Sequence, residues 1–458
     1  MKTPLHQLFE KHLEADEIIT NQEKIANLLI DKRERYRGNA DIVLQPKSTN
    51  SVQAIMRLCS THKISVTPQG GNTSLCGAAT PNGGVLLSLS KMNHILKVDL
   101  QNESILVQAG AILHNVQEEA LKHGKYFPLS LASEANCQIG GNIACNAGGI
   151  NVLRYGNMRK LVLGLEIVLP DGSLISHLSA LRKNTTGLDL QQLFIGSEGT
   201  LGIITAANLA IFPIPQNTIT AWIDCDDIEE CIEYLNILKN HSQGSLKSFE
   251  LISDIALKIS AEYLNEKNIS NNRAWHILCE WDDIGNSEDL FNKINPNKLK
   301  NILISQNENQ RKIWWKLREN ISDAQKKKGI SIKHDIALPI SQINAMLNTC
   351  EKNIKQKFSD AQIVAFGHLG DGSLHYNVFL PNITNSQIYD FEEEINEIVY
   401  NCVIEHQGTI AAEHGIGQLK RQWLQKMKTQ EEINLMLAIK KQLDPFNIMN
   451  PNKVYPEI

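Results

Sequence analysis

One glycine loop constrains this chain more than any other stretch of its sequence. Two adjacent glycines allow positive φ angles and a close approach to a ligand, and successive N–H groups in such a turn can form an anion-binding concavity. The loop is therefore predicted to hold a pyrophosphate, although an ordinary surface turn is the alternative, because glycine marks turns more often than ligands. The predicted contacts are Pro68, Gly70, Gly71, Asn72, Thr73, Ser74 and Gly77.

The elements before this loop predict how the chain delivers it. Residues 41–44 and 63–67 have the composition of short strands, and Val52, Ile55, Met56 and Cys59 between them recur at helical spacing. The loop is therefore expected at the end of a β-α-β unit, which is a better context for a ligand than an isolated turn.

Two further clusters of glycine and small residues follow, at 137–149 and 195–205. Between them, Pro170-Asp171-Gly172 predicts a hairpin turn, and Gly124 predicts the end of a helix that starts near residue 111. Three such clusters favour a long ligand such as a dinucleotide, whereas tight packing of strands on helices is the alternative. Because the glycine spacing of a Rossmann motif does not follow a strand here, a Rossmann site is not supported.

Length and composition narrow the class of protein. A chain of 458 residues predicts two or three domains. The net charge of −5, without a basic patch, argues against nucleic acid as a partner. Nine dispersed cysteines without a Cys-x-x-Cys pair favour a reducing compartment and exclude an iron–sulfur module. We expect no targeting segment, no membrane span and a cytoplasmic location.

The second half of the chain alternates helices and strands, which predicts an α+β domain. A helix over 310–328 is expected to bury Trp314, Leu317, Ile321 and Ala324 on one face. Arg318 and Ser322 are spaced to share a face of that helix, and Lys333 follows on a predicted strand with Asp335 on the same side. Two cations and a hydroxyl suit an anionic substrate; ordinary surface charges are the alternative.

The densest group of candidate catalytic residues lies between Phe366 and Val378. His368 is predicted in a glycine turn, and His375 and Asn377 should face one side of the strand that follows. A second cluster places Glu413 and His414 before a helix that starts near Gln418. Two histidines and a glutamate are suitable ligands for Zn²⁺ or Mn²⁺, whereas a histidine pair in the core or a loop is the alternative.

Taken together, these clusters, with Arg154-Tyr155-Gly156, resemble the FAD domain of the vanillyl-alcohol-oxidase superfamily, the PCMH-type fold. Within it the chain is similar to the flavin-linked D-2-hydroxyacid dehydrogenases, above all those of the hydroxyglutarate type, from about residue 37 to the C-terminus. The resemblance implies an α+β fold. The implied organisation of the chain is an N-terminal helical arm (1–35), a two-subdomain FAD-binding domain (36–214), a substrate or cap domain (215–410) and a C-terminal segment that returns to the FAD domain (411–458).

The resemblance also implies site residues. It implies His368, His375 and Glu413 as metal ligands, and His414 as the catalytic base. FAD is expected to bind without a covalent link, because the loop contains no histidine. Ser322 departs from the threonine that is more frequent in the family. The implied substrate contacts are Arg318, Ser322, Lys333, Asn377 and His414. The further implied FAD contacts are Gly140, Gly141, Asn142, Asn146, Gly148, Gly149, Tyr155, Glu198, Gly199, Gly202, Ile203 and Asn450.

The activity implied is oxidation of a D-2-hydroxy acid to a 2-oxo acid, with hydride transfer to flavin N5. D-2-hydroxyglutarate is the expected substrate, since Lys333 offers a second cation for a distal carboxylate. A D-lactate dehydrogenase, a flavin subunit of glycolate oxidase, a flavin-free metal hydrolase and a non-catalytic flavoprotein subunit are the alternatives. The acceptor is expected to be an electron-transfer flavoprotein, a quinone or a cytochrome. A homodimer and a peripheral association with a membrane electron-transfer chain are left open.

Overall fold

The computed structural model describes residues 4–266, 273–283, 285, 301–385 and 387–456. The chain forms two compact units. The first comprises Met1–Gly149, Gly156–Ile214 and Glu413–Ile458, and the second comprises Ile150–Tyr155 and Pro215–Ala412. The predicted division of the chain at residues 35, 214 and 410 stays a prediction.

The secondary structure of the described residues mixes helices with antiparallel and parallel strands. The helices are α1 (Pro4–Phe9), α2 (Gln22–Leu28), α3 (Thr49–His62), α4 (Leu113–Lys122), α5 (Ile139–Ala144), α6 (Val152–Tyr155), α7 (Met158–Leu161), α8 (Ile228–His241), α9 (Asp254–Leu264), α10 (Glu308–Glu319), α11 (Ile321–Lys328), α12 (Ile343–Lys357), α13 (Glu392–Glu405), α14 (Arg421–Met427) and α15 (Gln430–Leu443). The strands are β1 (Ile18–Ile19), β2 (Ile42–Leu44), β3 (Val66–Gln69), β4 (Val85–Ser88), β5 (Ile95–Asp99), β6 (Ser104–Gln108), β7 (Lys125–Tyr126), β8 (Val162–Val168), β9 (Leu174–His177), β10 (Ile203–Ala210), β11 (Phe212–Pro213), β12 (Thr218–Cys225), β13 (Leu246–Ser253), β14 (Trp275–Asp282), β15 (Ile302–Ile304), β16 (Ile332–Ala337), β17 (Gln362–His368) and β18 (Ser373–Phe379).

In the first unit, a four-stranded sheet has the order β1-β2-β4-β3, in which β4 pairs in parallel with both β2 and β3. The predicted β-α-β unit is present as β2, α3 and β3. Ser48 caps the N-terminus of α3 by accepting from the N–H of Ser51. The helix ends at Lys63, which has a left-handed conformation, so that β3 starts three residues later.

A second sheet of the first unit is antiparallel, with the order β5-β6-β10-β8-β9. The predicted hairpin is present, since β8 and β9 pair around the turn at Gly172, which has a φ of +80°. Gly124 has a φ of +67° just after α4, as the predicted helix end requires.

The second unit is built on a seven-stranded antiparallel sheet with the order β15-β12-β14-β13-β17-β18-β16. Helices α9, α10 and α11 cover one face, where Trp222, Trp314 and Trp315 pack with Ile252 and Phe366. Such burial of large apolar side chains stabilises the unit by roughly 1.5–3 kcal/mol for each side chain. On the other face, the ring of Tyr400 on α13 contacts the ring of His334 on β16.

Two features of the second unit differ from the prediction. The single helix expected over 310–328 is two helices, α10 and α11, which meet at Asn320. The predicted apolar stripe is nevertheless buried, because both helices pack on the same core. The strand β13, which lies between β14 and β17, was not predicted. Across the parts of the chain that the structure describes, every helix falls short, in length or in hydropathy, of what crossing a bilayer requires.

Candidate active site

The glycine loop leaves the first unit's parallel sheet at the end of β3. The side-chain nitrogen of Gln69 donates to the carbonyls of Leu28 (2.9 Å) and Ala79 (3.0 Å), and that of Asn72 donates to the carbonyl of Ile30 (2.8 Å). Asn72 itself has a φ of +52°. The loop is therefore held in one conformation by protein contacts at both ends of the glycine pair.

The glycines of the clusters divide into two kinds. A Cβ at Gly71 would lie 2.0 Å from the carbonyl oxygen of Asn136, and one at Gly149 would lie 2.0 Å from that of Ser130. These positions need glycine because protein backbone packs there. A Cβ at Gly70 would make only an ordinary contact with Gln138, and one at Gly141 would meet nothing within 4 Å. Gly70 and Gly141 are therefore the positions that leave room for a ligand.

Three further glycines among the predicted FAD contacts pack tightly against other parts of the protein. A Cβ would lie 2.8 Å from the Ala109 side chain at Gly140, 2.4 Å from Gln418 at Gly77, and 2.5 Å from Pro68 at Gly199. Among the remaining predicted FAD contacts, Gly148 and Asn142 are buried and Thr73 is half-buried. The side chain of Asn146 accepts from the N–H of Arg159, and a Cβ at Gly202 would contact Ile167 and Phe194. Ile203 is the first residue of β10, and Tyr155 is the last residue of α6 in the second unit.

Several buried polar atoms near the clusters lack a protein partner. They include Ser74 Oγ, Gln138 Oε1 and Asn450 Oδ1. Asn450 is fixed in orientation, because its Nδ2 donates to the carbonyls of Ala78 (3.0 Å) and Glu198 (2.8 Å). A buried polar atom usually has a hydrogen-bond partner. These atoms, with the space at Gly141, fit a long polar ligand such as FAD. Gln138 was missed, since an amide before a glycine pair is not a distinctive signal.

Glu198 was predicted as a cofactor contact, but the structure uses both of its carboxylate oxygens elsewhere. Its Oε1 accepts from the N–H of Ile416 (2.7 Å) and its Oε2 from that of Gly417 (2.8 Å). Burial raises the pKa of Glu198, and these two N–H groups, with the charge of Lys420, offset the increase only in part. The side chain therefore anchors the loop that follows Glu413 and His414, both of which are half-buried.

The C-terminal segment returns to the parallel sheet of the first unit. Val66 at the start of β3 donates its N–H to Ile448, and Asn450 donates its N–H to Val66. Nearby, Lys453 is buried, and burial, together with the charge of Arg421, lowers its pKa to about 8. The predicted return of residues 411–458 to this fold unit therefore has a structural basis in these backbone hydrogen bonds.

In the second unit, strand register brings the predicted polar residues to one face of the sheet. His375 on β18 is paired with Asp335 on β16, and Asn377 is paired with Lys333. Because paired residues of antiparallel strands point to the same side, all four side chains share the face that α9–α11 cover. The predicted common orientation of His375 with Asn377, and of Lys333 with Asp335, is confirmed.

A buried carboxylate that the sequence analysis missed organises this face. Glu250 on β13 accepts from His368 Nδ1 at its Oε1 (2.7 Å), and from Arg318 Nε (2.9 Å) and Nη2 (2.7 Å) at its Oε2. Burial raises the pKa of Glu250, but the charges of His368 and Arg318 outweigh it, so that the pKa lies below the ordinary glutamate value. A glutamate within an apolar strand is the signal that could have revealed it.

The two histidines are close enough to share a metal ion. Their rings are 6.3 Å apart between centroids in an edge-on arrangement, and one ring nitrogen of each lies within 4.8 Å of the other. The ring of His375 also packs at 4.9 Å from that of Phe366. With Nδ1 of His368 bonded to a carboxylate, the donor set fits a divalent metal, since histidine ligands commonly have such a partner on the second nitrogen.

The predicted substrate contacts are arranged differently from the expectation. Arg318 is buried in its ion pair with Glu250, whereas Ser322 is exposed. The prediction that the two share a helix face is wrong, because the break at Asn320 separates them. A polar residue of α11 that does reach this side of the sheet is Gln325, whose Oε1 accepts from Asn377 Nδ2 (2.8 Å). Gln325 was missed because its position depends on that break.

Comparisons with known proteins identify the family. Residues 214–454 match the model of the C-terminal domain of FAD-linked oxidases, and residues 40–177 match an FAD-binding domain. The chain belongs to the family of FAD-linked D-2-hydroxyacid dehydrogenases. It is 33% identical to a mitochondrial D-2-hydroxyglutarate dehydrogenase of Arabidopsis thaliana, covering 98% of this chain and 81% of that one.

Another relative and a solved structure agree with this family. A putative mitochondrial D-lactate dehydrogenase of Schizosaccharomyces pombe is 33% identical over 93% of this chain and 83% of its own. The crystal structure of p-cresol methylhydroxylase superposes with a TM-score of 0.76 at 16% identity, over 98% of this chain and 95% of that one, which shows the shared fold. The predicted family, the α+β PCMH-type fold and the class of FAD-linked oxidoreductase are therefore confirmed.

Proposed function

We propose that this family member oxidises D-2-hydroxyglutarate to its 2-oxo acid with non-covalent FAD and a divalent metal, Zn²⁺ or Mn²⁺. The observation that carries the proposal is the pair His368 and His375, whose nitrogens lie within 4.8 Å and one of which is anchored by Glu250. The name of the relative from Arabidopsis thaliana supports this substrate, and that of the relative from Schizosaccharomyces pombe supports D-lactate as the alternative.

The residues proposed to hold FAD lie in the first unit. Gly70 and Gly141 leave room for it, while Ser74, Gln138 and Asn450 have buried polar atoms that need a partner. FAD, when bound, supplies the two-electron acceptor for the hydride that leaves C2 of the substrate. Because Asn450 is fixed by two carbonyls, its Oδ1 is an acceptor that needs no reorganisation when a ligand binds.

The residues proposed to hold the metal are His368, His375 and Glu413. A divalent metal, when bound, supplies Lewis acidity that lowers the pKa of the substrate's 2-hydroxyl group. The carboxylate of Glu250 can only accept, so the Nδ1 of His368 carries the proton and Nε2 retains the lone pair for coordination.

The remaining polar residues are proposed to bind substrate and to move one proton. His414 accepts the hydroxyl proton, as an imidazole can do near neutral pH. Arg318 and Lys333 offer positive charge to the two carboxylates of a dicarboxylic acid, since the guanidinium also has donors on Nη1 beyond those that bind Glu250. The hydrogen bond to Gln325 fixes the orientation of the Asn377 amide.

A single anaerobic experiment tests the substrate and the metal together. D-2-hydroxyglutarate, D-lactate and glycolate are added separately to the purified holoenzyme, and flavin bleaching is followed with and without a chelator. We expect the fastest bleaching with the dicarboxylate and loss of bleaching after metal removal. Preference for lactate would overturn the dicarboxylate assignment, and bleaching that the chelator leaves unchanged would overturn the metal.

The proton-transfer role has its own test. His414→Ala should abolish flavin reduction while FAD content stays at the wild-type level. His406→Ala is the matched control, because His406 donates from Nδ1 to the carbonyl of Cys402 within the second unit. Equal rates in the two variants would overturn the assignment of the base. The electron-transfer flavoprotein, quinone and cytochrome classes of acceptor, and the cytoplasmic location, stay predictions that acceptor screening and fractionation address.

A further inference from the structure

The Glu250 carboxylate makes an uncommon set of contacts for a group that is entirely buried. One oxygen receives His368 Nδ1, and the other receives the Nε and Nη2 of Arg318. The guanidinium of Arg318 in turn lies 5.1 Å from the centroid of the Phe366 ring. The side chains of His368 and Arg318 are therefore oriented by the same carboxylate, and their positions are coupled.

Stability alone does not account for this arrangement. A buried ion pair can often be replaced by apolar residues of similar volume without loss of stability, because removing charges from water is unfavourable. The same sheet contains a second buried glutamate for comparison. Glu280 on β14 is also buried, and it accepts from Arg311, from Trp315 Nε1 (2.6 Å) and from Thr220 (2.8 Å). None of these three partners is a metal-ligating side chain, whereas a partner of Glu250 is a histidine.

We propose that Glu250 is a positioning residue for the metal centre: it fixes the protonation pattern and ring orientation of His368 and links that ligand to Arg318. The inference rests on the proposed function, since it requires His368 to bind a divalent metal. A carboxylate acceptor on Nδ1 holds the proton there and makes Nε2 the coordinating nitrogen. It also increases the basicity of the imidazole, which strengthens coordination.

The link to Arg318 gives the same residue a second consequence. Loss of the Glu250 charge frees the guanidinium from its bidentate ion pair, so that its position relative to the substrate carboxylate changes as well. The variant is therefore expected to alter both the affinity for metal and the KM for substrate. A residue with only a structural role would lower stability without altering either constant.

The test measures metal affinity directly. Wild-type holoenzyme, Glu250→Gln and Glu280→Gln are stripped of metal and titrated with Zn²⁺ in competition with a chromophoric chelator, and FAD content and melting temperature are recorded for each. We expect Glu250→Gln to bind Zn²⁺ about 10- to 100-fold more weakly. Glu280→Gln should lose thermal stability but bind the metal as the wild type does.

The outcomes separate this inference from the proposed function. If wild-type protein binds Zn²⁺ and Glu250→Gln binds it equally well, the positioning role is overturned while the metal centre stands. If wild-type protein binds no divalent metal, the metal centre itself is overturned, and the inference with it. Should Glu250→Gln fail to fold, Glu250→Asp carries the test, because it keeps the charge but withdraws it from Nδ1. An affinity unchanged in Glu250→Asp would then overturn the role.

Discussion

Glu198 and Glu250 are both buried glutamates, one in each unit, yet their environments have opposite effects on their charge. Two backbone N–H groups bind Glu198, whereas an arginine and a histidine bind Glu250. Burial raises the pKa of Glu198 above the ordinary value. For Glu250, burial acts in the same direction, but its interactions with His368 and Arg318 bring the pKa below that value.

The two environments suit the two carboxylates to different roles. Backbone dipoles are enough to anchor a loop, and Glu198 accordingly fixes the backbone at Ile416 and Gly417. At Glu198 they do not offset the effect of burial on the pKa, even together with the charge of Lys420. At Glu250, Arg318 binds the carboxylate directly, and only an ionised Glu250 is restricted to accepting the proton-bearing nitrogen of His368.

The largest effect is expected at the histidine that Glu250 orients. His368→Ala removes a proposed metal ligand, and a Lewis acid contributes several kcal/mol to catalysis, so that turnover should fall at least about 10²-fold. His334→Ala is the matched control on the same sheet, since Nδ1 of His334 donates to the carbonyl of Tyr376 and its Nε2 lies 2.9 Å from Oδ1 of Asn396. Metal content by elemental analysis and the rate of flavin reduction check both variants. If His368→Ala retained its metal, His368 would not be a ligand, and the proposed difference in role between Glu250 and Glu198 would be contradicted.

The next effect concerns stability and the two arginines of α10. Arg318→Met removes the arginine partner of the buried Glu250 carboxylate, and breaking a buried pair by removing one member is unfavourable by about 3–5 kcal/mol. Arg311→Met, seven residues earlier on the same helix, should have a smaller effect, because 34% of its side chain is exposed and Glu280 keeps Trp315 and Thr220. Denaturant unfolding of both variants measures the difference. Equal losses would show that burial of the pair is unimportant.

The opposite pKa shifts predict opposite dependences on pH. For Glu250, whose pKa is lowered on folding, stability is present above the unfolded value of about 4.3 and is lost as pH falls through the folded pKa. For Glu198, whose pKa is raised, stability is present below about 4.3 and is lost as pH rises through the folded pKa. The melting temperature of each variant, Glu250→Gln and Glu198→Gln, is subtracted from that of the wild type across acidic pH. The two differences, plotted against pH, should therefore slope in opposite directions. Parallel slopes would contradict the assignment.

The sequence could predict the parts of both sites that depend on local patterns. The glycine loop after β3 follows from two strands and the helix between them, and the common face of His375 and Asn377 follows from the period of two residues in a strand. Lys333 and Asp335 obey the same period, so their common face was also predictable without any knowledge of which strands are neighbours.

The partners of these residues could not be predicted, because they are set by pairing between distant strands. Glu250 and His368 are 118 positions apart and meet only because β13 lies beside β17. The pairing of β13 with β17 must be known before Glu250 can be assigned as the partner of His368.

The helix break at Asn320 was missed for a different reason. Each half of 310–328 keeps helical periodicity, so the apolar stripe is continuous although the hydrogen-bonded helix is not.

The smallest effect is expected at Ser322, which that break turns away from Arg318. Its side chain is exposed, so Ser322→Ala should change the free energy of unfolding by no more than about 0.5 kcal/mol. Ser260→Ala on α9 is the matched serine, because its buried hydroxyl donates to the carbonyl of Leu317 at 2.6 Å and should contribute about 1 kcal/mol. The KM for D-2-hydroxyglutarate completes the test. An increase in KM for Ser322→Ala beyond that of Ser260→Ala would show that the exposed hydroxyl reaches the substrate during turnover. Ser322 and Arg318 would then have to contact the substrate together, against their separation by the break at Asn320.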